Sequence, residues 1–117
     1  MKTILLFIFV LISNSIYSQQ QNDTINIREF IIKETQEGGK LDFFTEIKGK
    51  EYNGSQVKPG VYASNMEIVL YRWGKTVKEL GIKDLDNIYK LYSEARGKEI
   101  NSQEKTLLKM AFDGELD

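Results

Sequence analysis

The segment Ser64–Leu80, SNMEIVLYRWGKTVKEL, sets Met66, Val69, Leu70, Trp73, Val77 and Leu80 at i, i+3, i+4, i+7, i+11 and i+14. This is the apolar stripe of a helix with one buried face, and no other stretch holds a single period for so long. The rest of a small core has to pack on it. Ser64-Asn65-Met66-Glu67 reads as a capping box, in which the Ser64 hydroxyl accepts from the Glu67 amide while the Glu67 carboxylate accepts from the Ser64 amide. Gly81 is placed to end the helix. Gly74 in its middle costs about 1 kcal/mol relative to alanine and marks a close packing contact or an early break.

Two further helices follow. Asp84–Arg96 carries Leu85, Ile88, Tyr92 and Ala95 on one stripe, with Asp84 and Asp86 at the positive end of the dipole and Gly97 as the stop. Asn101-Ser102-Gln103-Glu104 is a second capping box. It opens a helix to about Phe112, with Leu107, Leu108, Ala111 and Phe112 available for packing and Gly114 ending it. Upstream, the β-branched and aromatic content of Ile25–Glu34 predicts a strand. Its alternation slips, with Ile25 and Ile27 on one face and Phe30 and Ile32 on the other, which calls for a bulge near Arg28 and Glu29. Leu41–Ile47 alternates with Leu41, Phe43, Thr45 and Ile47 inward and is predicted to pair with it across Glu37-Gly38-Gly39-Lys40, leaving Phe44 in need of cover. Asn53-Gly54 is a hairpin signal, and a third, irregular strand is expected over Val57–Tyr62 around the single Pro59. The predicted fold is α+β: a small antiparallel sheet of two to three strands followed by about three helices, in one domain over residues 24–117.

Residues 1–18 have a different character. Lys2 supplies a positive start, Ile4–Ile12 is an unbroken apolar run, and Ser13–Ser18 is small and polar, the three-part layout of a secretory signal peptide. The run is much shorter than the roughly 20 residues a bilayer span needs. Cleavage is expected after Ser18, although Ile16 stands where a smaller residue is usual, and residues 19–23 then form a flexible mature N-terminus. The chain has no cysteine, so it lacks a lipoprotein attachment site and any disulfide. A small secreted domain without disulfides fits a bacterial envelope better than a eukaryotic secretory route. The expected location is periplasmic or secreted, with no membrane span after signal cleavage.

Charge and composition narrow the chemistry. The 16 basic and 17 acidic residues give a net charge of −1, or −2 once Lys2 leaves with the signal peptide. No block of like charge stands out, so the footprint of a nucleic-acid binder is missing. Histidine is absent as well as cysteine. With neither there is no imidazole base, no thiol nucleophile and no nitrogen or sulfur ligand set for zinc, copper or iron. Ser102-Gln103-Glu104-Lys105 matches S-x-x-K, but the S-D-N and K-T-G partners are missing and a helix N-terminus explains the same residues. Asp84-Leu85-Asp86-Asn87 resembles the start of an EF-hand loop, yet Tyr89 stands where glycine is required and Ala95 where glutamate is. Asp23-Thr24-Ile25, Asn22-Asp23-Thr24 and Asn53-Gly54-Ser55 are short glycosylation triplets, putting Thr24, Asn22 and Asn53 forward as acceptors.

The remaining signal is aromatic. Trp73 and Tyr92 lie on apolar stripes and read as core. Tyr71, Arg72 and Tyr89 lie off them and are the candidate binding residues, being of the types enriched at interface hot spots. No catalytic residue, metal ligand or cofactor is expected, and the chain is not expected to be an enzyme. The reading is a small exported binding or interaction protein of the bacterial envelope or periplasm with a protein partner, an inhibitor or immunity-type protein being one version. A structural subunit of an envelope assembly is the alternative, with a carboxylate-based hydrolase behind it.

Overall fold

A computed structural model describes residues 26–117. The signal peptide, the segment 19–23 and the candidate acceptors Asn22 and Thr24 lie outside the described residues. Contacts divide the chain between Phe30 and Ile31. The described part of the first unit, residues 26–30, is helical, and the second, Ile31–Asp117, carries the sheet and the three later helices. The architecture is α+β, a two-stranded antiparallel sheet with four helices among the described residues. The helices are α1 (residues 26–34), α2 (Asn65–Glu79), α3 (Leu85–Arg96) and α4 (Ser102–Asp113); the strands are β1 (Gly54–Lys58) and β2 (Val61–Ser64).

The three later helices follow their sequence signals. Ser64 and Asn101 each accept from the amide three residues on, and Glu67 and Glu104 reach back to close both capping boxes. Asp84 caps α3 through the Asp86 amide, and Gly97 and Gly114 end α3 and α4 in the left-handed conformation. Val69, Leu70, Trp73 and Val77 of α2 are buried, as are Ile88, Leu91, Tyr92 and Ala95 of α3 and Leu107, Leu108 and Ala111 of α4. Leu80, at the end of the α2 stripe, is exposed. Gly74 is a packing contact: a Cβ there would lie 3.0 Å from Leu108 Cδ2 and 3.1 Å from Ala111 Cβ, so its absence lets α2 and α4 approach.

The β elements differ from expectation. Residues 26–34 are helical, where a strand is predicted. Ile31 and Thr35, four apart, are both buried, and Thr35 Oγ1 donates to the Ile31 carbonyl at 2.6 Å. The slip in alternation was therefore a helical period, with burial overriding the lower helix propensity of isoleucine. Leu41–Ile47 is not its partner strand but an irregular turn ending in a short 3-10 helix at Thr45–Ile47. Asp42 organises it, accepting from the amides of Gly38 and Thr45 and from the Thr45 hydroxyl at 2.9, 3.1 and 2.5 Å, a local arrangement that competes with a ladder. Those hydrogen bonds outweigh partial burial and hold the Asp42 carboxyl below its ordinary value. Phe44 finds its cover under Arg96, whose guanidinium lies 4.0 Å above the ring.

The hairpin also sits further along than Asn53-Gly54. Its turn is Pro59-Gly60, with Lys58 facing Val61 and Gly60 at φ 77°, the positive angle a type II turn requires after proline. The irregular strand expected around Pro59 is thus two strands joined at it. The register shifts between Gln56 and Lys58. The turn before the hairpin is tied to α2: the carbonyls of Asn53 and Glu51 accept from the Asn65 and Met66 amides at 2.7 and 3.0 Å, satisfying donors at the start of the helix.

Buried polar groups are paired. Trp73 Nε1 donates to Thr35 Oγ1 at 3.0 Å, and the Tyr92 hydroxyl donates to Glu104, which also accepts from Lys98 Nζ at 2.7 Å. Burial opposes ionisation of Glu104, but the Lys98, Tyr92 and Asn101 hydrogen bonds outweigh it and hold the carboxyl below its ordinary 4.5. Burial, reinforced by Glu104, raises the Tyr92 phenol. Two outcomes follow from this packing. Gly74→Val lowers unfolding free energy in urea melts by about 2 kcal/mol through overpacking, whereas Gly74→Ala stays near neutral despite the propensity gain of about 1 kcal/mol. Glu104→Gln is less stable than the parent near neutral pH, because a depressed carboxyl contributes stability that is complete above its unfolded pKa. The gap between variant and parent closes as pH falls through the lower folded value, which parallel melts across the acid range will show.

Candidate functional site

The sequence-derived candidates diverge in space. Tyr71 and Arg72 are neighbours on α2 and so point about 100° apart around its axis. Arg72 is exposed and lays its guanidinium 4.1 Å above the Phe43 ring. Tyr89 of α3 donates to the Lys105 carbonyl at 3.3 Å and lines a depression of about 470 Å³ between α3 and α4. Burial raises its phenol. Tyr71 lines a different cleft, between the hairpin, α2 and α4. Trp73 and Tyr92 are fully buried, with rings 5.6 Å apart in an edge-to-face arrangement.

The remaining motif residues serve structure. Ser102 is the first residue of α4 and Glu104 its capping carboxylate, so S-x-x-K is here a helix start. Among the described residues no group of three or more acidic side chains is placed to hold a metal ion, and no helix is long and apolar enough to cross a membrane. Asn53 is exposed just before β1. Another depression, of about 420 Å³, is lined by Asp42, Thr45, Lys48, Glu51 and Arg96 among others. Asp42, Thr45, Glu51 and Arg96 are already committed to hydrogen bonds or ring contacts within their own loops and to Phe44.

The Tyr71 cleft is unlike these. It encloses about 260 Å³ with mainly apolar walls: Val57, Val61 and Tyr62 from the hairpin, Ile68 and Tyr71 from α2, and Leu107 and Met110 from α4. Gly114 turns the chain after α4, and Leu116 enters the same cleft. The Tyr71 hydroxyl donates to Asp117 Oδ1 at 2.7 Å and accepts from the Leu116 amide at 2.9 Å. Lys75 Nζ reaches Asp117 Oδ1 at 3.0 Å and Lys58 Nζ reaches its main-chain oxygen at 3.1 Å. Asp117 is held below its ordinary pKa by the Tyr71 and Lys75 hydrogen bonds, and its carboxylate raises Lys75 in turn. Tyr71 is raised by burial and by its bond to Asp117.

The sequence signal for this site was Tyr71 alone. Nothing local in the sequence joins Lys58, Lys75, Leu116 and Asp117 to it, because their meeting depends on contacts 42 to 59 residues apart. Tyr71→Phe keeps the ring but deletes the hydroxyl that serves both neighbours. It costs at most about 1 kcal/mol of stability and removes the slow exchange of the Leu116 amide, read by hydrogen-exchange NMR. Comparison with protein families, with curated proteins and with solved structures finds no match for this chain.

Proposed function

We propose that this chain is a small exported protein of the bacterial envelope that acts by binding another protein through its hairpin face. The observation that carries this is where apolar surface is left in the unit Ile31–Asp117. Four of its five exposed large apolar side chains, Tyr52, Val57, Val61 and Tyr62, lie on or beside the hairpin, and Tyr52 and Tyr62 are 93% and 72% exposed. Such side chains lose contact with water only when something covers them. Among the described residues the sheet has two strands and neither outer edge has a strand partner, a second means of engaging an extended segment. Export rests on residues 1–18, whose charged start, apolar run and polar tail have the layout of a cleavable leader. An inhibitor or immunity-type protein is the version that suits a short chain with no histidine or cysteine.

Affinity capture from an envelope extract of the host tests the reading. Tyr52→Ser together with Tyr62→Ser leaves the melting curve within about 0.5 kcal/mol of the parent, since both are surface changes, and abolishes recovery of the partner. Tyr89→Ser retains it. A partner recovered equally by the hairpin variant, or no partner at all, overturns the proposal.

A further inference from the structure

One wall of the hairpin cleft is a segment of defined chemistry, docked there by the chain itself. Leu116 forms part of the apolar wall, and beside it Asp117 presents a carboxylate to Tyr71 and Lys75, while the main chain is held on both sides, at the Leu116 N–H by Tyr71 and at the Asp117 oxygen by Lys58. One apolar side chain, one carboxylate and two main-chain contacts are how a groove recognises a short extended segment. We propose that this cleft, with the Tyr71, Lys75 and Lys58 donors at its margin, is a receptor for a partner protein's extended segment carrying an apolar residue followed by an acidic one, and that Glu115–Asp117 takes the place of such a segment until one displaces it. The inference rests on the reading of the hairpin as a binding face and names what the face takes.

Three features support a displaceable occupant. The Lys75 and Asp117 side chains are each 43% exposed, so their ion pair is screened and weak. The segment is tethered only two residues beyond the Gly114 turn, so a high local concentration can hold it there without strong contacts. The charges are complementary: two lysines converge on Asp117, while the acidic residue of the cleft wall, Glu67, is engaged with the Ser64 amide at 2.9 Å.

The probe is an acetylated, amidated, fluorescein-labelled Gly-Glu-Leu-Asp peptide, titrated into the full chain and into the full-length variant Leu116→Gly with Asp117→Gly. If the internal segment occupies the cleft about nine-tenths of the time, emptying it tightens peptide binding about tenfold. Lys75→Glu in the emptied variant removes that binding, and a Gly-Glu-Leu-Lys peptide does not bind. A second measurement needs no variant: excess peptide added to the unaltered chain speeds exchange of the Leu116 amide. Equal peptide affinity for parent and emptied chain, binding indifferent to Lys75→Glu, or Leu116 exchange unmoved by excess peptide each overturns the inference. So does a concentration-dependent dimer lost in the emptied variant, which makes the occupant a second copy. Partner capture that still depends on Tyr52 and Tyr62 while the peptide fails confines the failure to the cleft and leaves the binding function standing.

Discussion

The edge-to-face contact between Trp73 and Tyr92 is the junction on which the fold depends. Trp73 brings in Thr35 through its indole N–H, and Thr35 is fixed in turn by its bond to the Ile31 carbonyl. Tyr92 brings in Phe44 on one side, with ring centroids 6.4 Å apart, and Glu104 on the other. Two rings thereby connect the end of α1, the Leu41–Ile47 turn, α2, α3 and the start of α4. Aromatic pairs of this geometry contribute about 0.5–1.5 kcal/mol beyond the area they bury, but geometry is the larger consequence. Each ring also carries a buried hydrogen bond, so neither can slide without leaving a polar group unpaired. Without disulfides, this pairing is what fixes the helices against one another.

The cleft is a product of that arrangement. Trp73 directs one face of α2 inward, and Gly74 beside it removes the side chain that would hold α4 away. With α2 and α4 this close, Ile68 and Tyr71 meet Leu107 and Met110, and the chain leaving α4 is delivered to Tyr71. The hairpin forms the remaining wall because its base is bonded to the first amides of α2. A glycine that lowers helix propensity thus stands where the close approach of α2 and α4, and with it the cleft, depends on it.

Much of the helical half was legible in the sequence, because its determinants are local. The capping boxes at Ser64 and Asn101, the Asp84 cap and the apolar stripes each lie within one element, and together with the strand signals upstream they gave the α+β class. The first half was misread where tertiary contacts decide. Isoleucines suited to a strand became helical once Ile31 and Thr35 were buried together, and Asp42 bent a cleanly alternating segment into a turn. Asn53-Gly54 lost the hairpin to Pro59-Gly60, where proline presets one central residue and glycine supplies the other. For the site, helical period separates Tyr71 from the core stripe but names no neighbour. Arg72 and Tyr89 looked equivalent to it in sequence and face other surroundings.

The protonation of the interior bears on whether carboxylate chemistry is a rival to binding. A general acid working near neutral pH needs a carboxyl raised by burial and left free to deliver its proton. Glu104, the buried carboxylate among the described residues, is in the opposite state: Tyr92, Lys98 and the Asn101 amide fill its acceptor sites and hold it ionised. Glu67 accepts from the Ser64 amide at the start of α2. Asp117 stands beside the hairpin cleft, bonded to Tyr71 of its wall, and its carboxyl is also lowered, by the phenol and ammonium that clasp it. In all three places the fold uses an acidic side chain as a fixed acceptor. Tyr71 and Lys75 donate to the Asp117 carboxylate and Lys58 to its main-chain oxygen, so here again the acidic residue is an acceptor held by fixed donors.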